Sequence, residues 1–255
     1  MIEKKLSFPF DPHQRTKEVE SAVMRGERRL YYRFRPAPYY GGIATADAVG
    51  CSFLCAYCWN YYRNLNSWRF KNFYSPQEVA SRLLGIARRK YFRSFRISGA
   101  EPILGDRSFE HLRKIIEIIL RNESQAIFIL ETNGFFLGRK PELAKGLKFK
   151  NLYVRVCLKG TDEDSFELIT GAKREFFQCP LTALKELQNQ GIKAWPALMG
   201  DLFSEEEIET LKKLLNEFGI KGKIELEVLE AYPFVVENMK KRGIRMNKKG
   251  DSSPF

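Results

Sequence analysis

Apolar residues recur along most of the chain at spacings typical of helices and of short buried strands. Leu181, Leu184 and Leu187, for example, fall on one face of a helix. Continuous or alternating apolar runs separate the helical segments and predict strands. These runs are residues 43–49, 94–97, 126–130, 152–158, 192–198 and 224–229. Six strands that alternate with helices predict a parallel sheet, open or curled into a partial barrel.

Capping residues mark the start of two of these helices. Ser75-Pro76-Gln77-Glu78 combines a capping serine, a proline at the first helical position and a glutamate that closes the capping box. Ser204 with Glu207 repeats the serine–glutamate pair. Residues 11–29 are strongly charged and predict a further helix before the first strand. The predicted fold class is α/β, a partial (β/α)6 barrel with a parallel sheet and an N-terminal helical extension.

Composition divides the chain into three segments. Residues 1–40 form an N-terminal extension, whose aromatic and basic end precedes Gly41 and Gly42. Residues 41–232 form the barrel, and residues 233–255 form a basic C-terminal tail. The tail is compatible with an arm that binds nucleic acid and with a simply solvated chain end.

The strand at residues 152–158 differs from the others in its polarity. Its even positions are apolar, whereas Arg155, Cys157 and the following Lys159 occupy odd positions. A parallel strand covered on both faces is expected to be apolar throughout. We therefore expect these three side chains to face a polar lumen. Glu225 and Glu227 give the last strand a similar alternation, which an edge strand with one wet face explains equally well.

Three of the five cysteines lie within eight residues. Cys51, Cys55 and Cys58 have the spacing C-x3-C-x2-C, which is typical of metal ligands rather than of a disulfide framework. Three thiolates can each bind one iron of a [4Fe–4S] cubane and leave the fourth iron without a protein ligand. Zinc is the alternative, but structural zinc sites usually add a second ligand pair, and the chain has only His13 and His111 besides these cysteines and Cys157 and Cys179.

The cysteine spacing, with an aromatic residue before the last cysteine, resembles the signature of the radical S-adenosylmethionine (radical SAM) superfamily. Ser98-Gly99-Ala100-Glu101, at the end of a predicted strand, resembles the glycine–glutamate motif of that superfamily. Three further segments resemble the "DTNG", "CHN" and "DLK" stretches of glycyl-radical-enzyme activases. They are Glu131-Thr132-Asn133-Gly134, Cys58-Trp59-Asn60 and Cys157-Leu158-Lys159.

The resemblance implies two cofactors, a [4Fe–4S] cluster on Cys51, Cys55 and Cys58 and S-adenosylmethionine beside it. It implies that the glycine–glutamate motif holds the amino group of S-adenosylmethionine and that Lys159 holds the carboxylate. Cys157 is the candidate catalytic residue. The predicted S-adenosylmethionine contacts are Tyr57, Asn60, Ser98, Gly99, Ala100, Glu101, Thr132, Asn133, Arg155 and Lys159.

The function that this resemblance implies is reductive cleavage of S-adenosylmethionine to a 5′-deoxyadenosyl radical, which abstracts hydrogen from a protein or peptide. The alternative is modification of a nucleobase in tRNA, favoured by the net charge of +12 and by the aromatic and basic residues 31–35. Trp59 also favours it, because wybutosine-forming enzymes resemble this chain in having tryptophan after the last cysteine. A non-catalytic iron–sulfur or zinc module that binds nucleic acid is the third hypothesis.

The excess of 43 lysines and arginines over 31 acidic residues fits an acidic partner. It fits equally the solvated surface of a heat-adapted protein. The resemblance implies a low-potential electron donor, a ferredoxin or a flavodoxin, and a macromolecular substrate. Pro9, Asp11 and Pro12 interrupt any signal peptide, and the longest charge-free run, residues 48–62, is too short to span a bilayer. We therefore expect a cytoplasmic protein without membrane segments.

Overall fold

The computed structural model describes residues 7–247, and its centre is one sheet of nine strands. The strands are β1 (Met24–Arg25), β2 (Arg28–Ala37), β3 (Ile43–Ala48), β4 (Phe73–Tyr74), β5 (Ser94–Ser98), β6 (Ile127–Thr132), β7 (Leu152–Leu158), β8 (Lys193–Met199) and β9 (Glu225–Glu227). The helices are α1 (Pro12–Val23), α2 (Tyr61–Leu65), α3 (Pro76–Lys90), α4 (Asp106–Asn122), α5 (Phe135–Arg139), α6 (Glu163–Thr170), α7 (Gln178–Asn189), α8 (Glu205–Glu217) and α9 (Pro233–Lys241).

Six strands form the parallel part of the sheet, in the order β3–β5–β6–β7–β8–β9. Helices return the chain between successive strands, as parallel pairing requires. The register pairs Asp47 with Ser98 and Thr132 with Val156, so the carboxyl ends of these strands lie along one edge. β1 and β9 lie at opposite ends of the sheet order, and the sheet does not close into a barrel. The predicted α/β fold with a partial barrel is confirmed.

The N-terminal extension differs from the prediction of a helix over residues 11–29. The helix α1 begins after Asp11, which caps it, and ends at Val23. Gly26, with φ of +58°, then allows a tight turn, and β2 pairs antiparallel with β3. The prediction was wrong in extent because residues 28–37 are rich in aromatic residues, which favour β-strands. Leu30 and Tyr31 of this strand are buried. Whether residue 40 is a domain boundary stays a prediction.

The basic tail begins with α9, whose first residue is Pro233. Val235 and Met239 on this helix are buried, so this part of the tail packs against the protein. Residues 248–255, which include Lys248 and Lys249, lie outside the described residues. A role of the tail as a nucleic-acid arm stays a prediction.

The predicted capping boxes at Ser75 and Ser204 are present. The backbone N–H of Ser75 donates to Glu78 over 2.6 Å, and that of Ser204 donates to Glu207 over 2.7 Å. The helices pack their apolar faces on the sheet around fully buried residues such as Leu83 and Leu184. Along residues 7–247 we find no helix with the length and apolar character needed to cross a bilayer.

Candidate active site

The cysteine loop, residues 51–58, lies between the carboxyl end of β3 and α2. Two backbone hydrogen bonds hold it to the end of α6, from Leu54 N–H to the Thr170 carbonyl over 3.1 Å and from Ala56 N–H to the Ile169 carbonyl over 2.9 Å. Gly50 precedes the loop with φ of +95°, a conformation that favours glycine. The loop is therefore fixed at the edge where the parallel strands end.

The three thiols of this loop share a buried, electrostatically coupled environment. Burial, together with the nearby Cys55, raises the pKa of Cys51 to about 12. Burial likewise raises the pKa of Cys55 and the pKa of Cys58 to about 11. The nearby Cys58 contributes to the rise at Cys55, and Cys51 contributes to the rise at Cys58. Without a metal the thiols are thus protonated at neutral pH. Metal binding must release three protons.

These residues fit a [4Fe–4S] cluster through their donor set. In the described part of the chain, no group of three or more His, Cys, Asp or Glu side chains is arranged to hold a metal ion. In a cubane the three thiolates bind three different irons, so they do not share one metal ion as the ligands of zinc do. Cys58 Sγ accepts from the backbone N–H of Asn60 over 3.4 Å, and Cys51 Sγ accepts from Asn133 Nδ2 over 3.7 Å. Such donors suit thiolate sulfur.

The glycine–glutamate motif follows β5 and touches the segment after the cysteine loop. Gly99 has φ of +80°, and an added Cβ would lie 3.1 Å from the Ala48 carbonyl oxygen. Asn60 Nδ2 donates to the Gly99 carbonyl over 2.5 Å. Ser98 and Ala100 flank this turn and are half-buried. The predicted cofactor residues of β5 therefore lie beside the third cysteine.

Glu101 is buried and joins the two predicted S-adenosylmethionine motifs. Its carboxylate accepts from the hydroxyl of Thr132 over 2.7 Å, from Asn133 N–H over 2.7 Å and from Ile103 N–H over 2.9 Å. Burial raises the pKa of Glu101, and the two backbone donors oppose that rise. The carboxylate braces the turn after β6 against the turn after β5. Its direct contact with S-adenosylmethionine stays a prediction.

Lys159 follows β7 on the other side of the cysteine loop. Its Nζ lies 5.4 Å from the ring centroid of Tyr57, which is itself buried. Burial alone would lower the pKa of Lys159, but the neighbouring Tyr57, Cys157 and Cys55 raise it well above its usual value. The ammonium group of Lys159 thus lies next to the loop.

Arg155 and Cys157 lie on the polar face of β7, as the alternation predicts. Arg155 is buried and donates to Glu225 over 3.0 Å, to Glu227 over 2.9 Å and to Cys157 Sγ over 3.3 Å. The two carboxylates of β9 thus bind Arg155 of β7 and are not simply the solvent-exposed face of an edge strand. Burial raises the pKa of Cys157 to about 11, against the opposing influence of Lys159 and Arg155.

Further polar groups line the same face of the sheet on β5 and β6. Arg96 donates to Glu131 over 2.7 Å, and Glu131 also accepts from the Tyr40 hydroxyl over 3.1 Å. Tyr40 belongs to the connection between β2 and β3. The face of the sheet that the sequence assigns to the lumen is therefore polar, and its charged groups are arranged in pairs.

The aromatic and basic residues 31–35 are only partly available to a partner, so an RNA surface at this segment stays a prediction. Tyr31 is fully buried, and its hydroxyl donates to His111 Nε2 over 3.0 Å. Arg33 and Arg35 both pair with the fully buried carboxylate of Asp47, at 2.6 and 2.7 Å. These cations balance an internal charge, so they offer less to phosphate than the sequence indicates. Trp59 is half-buried, with Arg33 6.0 Å from its ring centroid.

Sequence reasoning missed two buried residues that contact the predicted cofactor motifs. Asn64 lies in α2 and touches both the Gly99 carbonyl and Cys58. Arg29 of β2 donates to the carbonyl of Glu101 over 2.6 Å and to that of Pro102. The only signal for Asn64 was its position four residues after Asn60, which places both on one helix face. Arg29 gave no signal, because its strand was read as helix.

The profile of the Radical SAM superfamily matches residues 47–215, and the chain belongs to that superfamily. It is accordingly an enzyme that uses a [4Fe–4S] cluster and S-adenosylmethionine. A curated relative, GTP 3′,8-cyclase of Microcystis aeruginosa (strain NIES-843 / IAM M-2473), is 26% identical over 121 residues, which are 48% of this chain and 35% of that protein. The chain thus spans about a third of this relative.

Two solved structures illustrate the shared fold. Streptococcus suis SuiB bound to S-adenosylmethionine is 18% identical, with a TM-score of 0.55 over 78% of this chain and 48% of that chain. A variant of spore photoproduct lyase is 12% identical, with a TM-score of 0.62 over 94% of this chain and 72% of that chain. At these identities the likeness concerns the fold.

Proposed function

We propose that this enzyme reductively cleaves S-adenosylmethionine and abstracts a hydrogen atom from a protein or peptide substrate, in the manner of an activating enzyme. The observation that carries the proposal is the convergence of the cysteine loop, the Gly99 turn and Lys159 beside one polar lumen. Similarity to activases in these chemistry-bearing segments supports a peptide substrate. The cluster and S-adenosylmethionine together supply the 5′-deoxyadenosyl radical.

The residues of the chain would hold and orient these groups. Cys51, Cys55 and Cys58 would bind the cluster, and Lys159 would bind the carboxylate of S-adenosylmethionine. The buried carboxylate of Glu101 fixes the backbone at Asn133 by accepting its N–H. Holding the reacting atoms on rigid strand ends is the contribution that proteins make to cofactor chemistry.

Cys157 is the candidate catalytic residue within the lumen. Arg155 holds its sulfur at 3.3 Å, so the thiol has a fixed position on the face where a substrate would enter. A Cys157→Ser variant should still form 5′-deoxyadenosine slowly without substrate but should lose the acceleration that substrate causes. Acceleration equal to that of the wild type would remove Cys157 from the chemistry.

Modification of tRNA is the second candidate. It is favoured by a group of stacked cations and rings near the cysteine loop, in which Arg63 lies 4.8 Å from the ring centroid of Tyr32. The pairing of Arg33 and Arg35 with Asp47 weakens this candidate. Membership of the radical SAM superfamily leaves no support for the non-catalytic module.

The substrate class can be tested by accelerated turnover. The reconstituted enzyme is supplied with dithionite and with host extract separated into protein, tRNA and small-molecule fractions, and 5′-deoxyadenosine is quantified. The proposal predicts acceleration by the protein fraction that protease abolishes and ribonuclease does not. Acceleration that ribonuclease abolishes would establish the tRNA alternative. Acceleration confined to small molecules, with GTP as the first to be tried, would contradict both.

A further inference from the structure

We propose that Asn64 is a positioning residue that couples the cluster to the S-adenosylmethionine site. Asn64 is 3% exposed and lies on α2, six residues after the last cysteine of the loop. Nothing in the cysteine motif or in the glycine–glutamate motif includes this residue. The proposal concerns the cofactors and does not depend on the substrate.

The side chain of Asn64 joins the start of the cysteine loop to its end. Its Oδ1 accepts from the Gly50 N–H over 3.0 Å, just before Cys51. Its Nδ2 lies 3.9 Å from Cys58 Sγ, within reach of a hydrogen bond to sulfur. Hydrogen bonds to cluster sulfurs are among the factors that set the potential of an iron–sulfur centre, since a donor stabilises the more negative, reduced state.

The same amide reaches the second cofactor motif. Asn64 Nδ2 donates to the Gly99 carbonyl over 3.1 Å, the oxygen that also accepts from Asn60. In a trans peptide the carbonyl and the next N–H point in opposite directions. Two amides on the Gly99 carbonyl therefore fix the direction of the Ala100 N–H. They also fix the backbone that the resemblance assigns to S-adenosylmethionine.

Asn64 is itself fixed from outside the cysteine loop. Arg15 of α1 donates to its backbone carbonyl over 3.1 Å, and its own N–H donates to the Asn60 carbonyl over 3.0 Å. A buried side chain with this many partners has one orientation, so its amide acts as a rigid link between Cys58 and Gly99. Loss of the amide donor should alter both cofactor sites together.

The test uses two variants of similar size, Asn64→Asp, which retains the acceptor for Gly50, and Asn64→Leu, which is neutral. Asn66→Ala is the matched control, because Asn66 follows the same helix and its amide donates to the carbonyl of Tyr62. Iron content is measured first. The midpoint potential of the cluster and the dissociation constant of S-adenosylmethionine are then measured without substrate.

We expect both Asn64 variants to have a more negative potential than the wild type. Their dissociation constant for S-adenosylmethionine should rise about two- to tenfold, the range for one neutral hydrogen bond. Asn60→Leu provides a second test even if the Asn64 variants fail to load iron. It removes a donor to Gly99 but keeps the backbone bond to Cys58, so it should weaken S-adenosylmethionine binding at unchanged potential.

The proposal is overturned if an iron-loaded Asn64 variant has the potential and the S-adenosylmethionine affinity of Asn66→Ala. An Asn60→Leu variant that binds S-adenosylmethionine as tightly as the wild type would contradict it as well. Lys159→Ala, measured in the same assay, separates this failure from a wrong assignment of the S-adenosylmethionine site. If Lys159→Ala weakens S-adenosylmethionine binding and the asparagine variants do not, the assignment of the S-adenosylmethionine site is correct and the proposed coupling through Asn64 is wrong.

Discussion

Two of the regions that contain buried polar side chains use them differently. The flank cluster comprises Tyr31, Asp47 and His111, on β2, β3 and α4. Each of these side chains has protein partners: Asp47 pairs with two arginines, and His111 is bonded to Tyr31 and to the Glu27 carbonyl. The cofactor region comprises Cys51, Cys55, Cys58, Gly99, Glu101 and Lys159.

In the cofactor region the three thiols are buried beside one another, and burial raises their pKa values to about 11 or 12. Thiols in this environment are poor acids until a metal binds them. The comparison teaches that burial of a polar group does not by itself indicate chemistry. The polar side chains of the flank cluster have protein partners, whereas the cysteine loop is completed by a bound group.

The largest effect should come from removing a cluster ligand. Alanine at Cys51, Cys55 or Cys58 should abolish iron and sulfide binding after anaerobic reconstitution, since each thiolate holds a separate iron. Cys157→Ala and Cys179→Ala are the matched controls and should retain four irons and four sulfides. Stoichiometric zinc without iron in the anaerobically purified wild type would contradict the assignment.

Next in size is the loss of the cation beside the loop. Lys159→Ala should raise the dissociation constant of S-adenosylmethionine about ten- to a hundredfold, because a charged hydrogen bond contributes roughly 1.5–3 kcal/mol. The affinity is measured by equilibrium dialysis on the iron-loaded protein. The control is Lys193→Ala, which removes an exposed lysine from the neighbouring strand β8. An unchanged affinity in Lys159→Ala would show that Lys159 does not bind the carboxylate.

The flank cluster should affect how the free energy of unfolding depends on pH, through His111. Burial, with Arg29 and Lys114 nearby, lowers the pKa of His111 to about 3, and the hydrogen bond to the Glu27 carbonyl opposes that shift. That carbonyl can only accept, so Nδ1 carries the proton and Nε2 accepts from Tyr31. His111 therefore contributes stability above pH 6.5, its unfolded pKa, and this is lost as the pH falls toward 3.

Between pH 7 and pH 5 the contribution of His111 to the free energy of unfolding should fall by about 2 kcal/mol. Urea titrations of the wild type and of His111→Gln at several pH values measure it, and the variant should lack this part of the slope. His13→Gln is the control, since His13 is the other histidine of the chain. A wild-type slope in His111→Gln would mean that His111 is not the buried neutral group described.

The smallest effect concerns nucleic acid. Because Arg33 and Arg35 are bound to Asp47, changing both to glutamine should alter the slope of log affinity for tRNA against log salt by less than one unit. Gel shifts over a salt series measure this slope. A change near two units would mean that both arginines contact phosphate, and the tRNA hypothesis would regain its main support.

Much of the fold followed from the sequence, because the apolar periodicity of the strands and the capping boxes at Ser75 and Ser204 are local signals. The strand β2 did not, because its basic and aromatic residues follow a charged helix without a clear break before Gly26. The turn at Gly26 and the partner strand β3 decide that segment, and pairing with a distant strand is not encoded locally.

The cysteine loop was recognisable from three cysteines at fixed spacing. The hydrogen bonds that hold the segments around it could not be predicted. Glu101 binds Thr132, and Asn64 binds Gly99, only when the strand ends come together. The pairing of Arg33 and Arg35 with Asp47 is likewise a contact between neighbouring strands. The sequence therefore does not show which of its cations are already paired within the protein.

The most direct test of the central claim is the cleavage of S-adenosylmethionine without any substrate. Iron-loaded wild-type protein reduced with dithionite should convert S-adenosylmethionine slowly to equal amounts of 5′-deoxyadenosine and methionine, and Cys55→Ala should form neither. Both products are quantified by liquid chromatography with mass spectrometry. A wild-type protein that carries a reduced cluster and binds S-adenosylmethionine, yet forms no 5′-deoxyadenosine, would contradict the account.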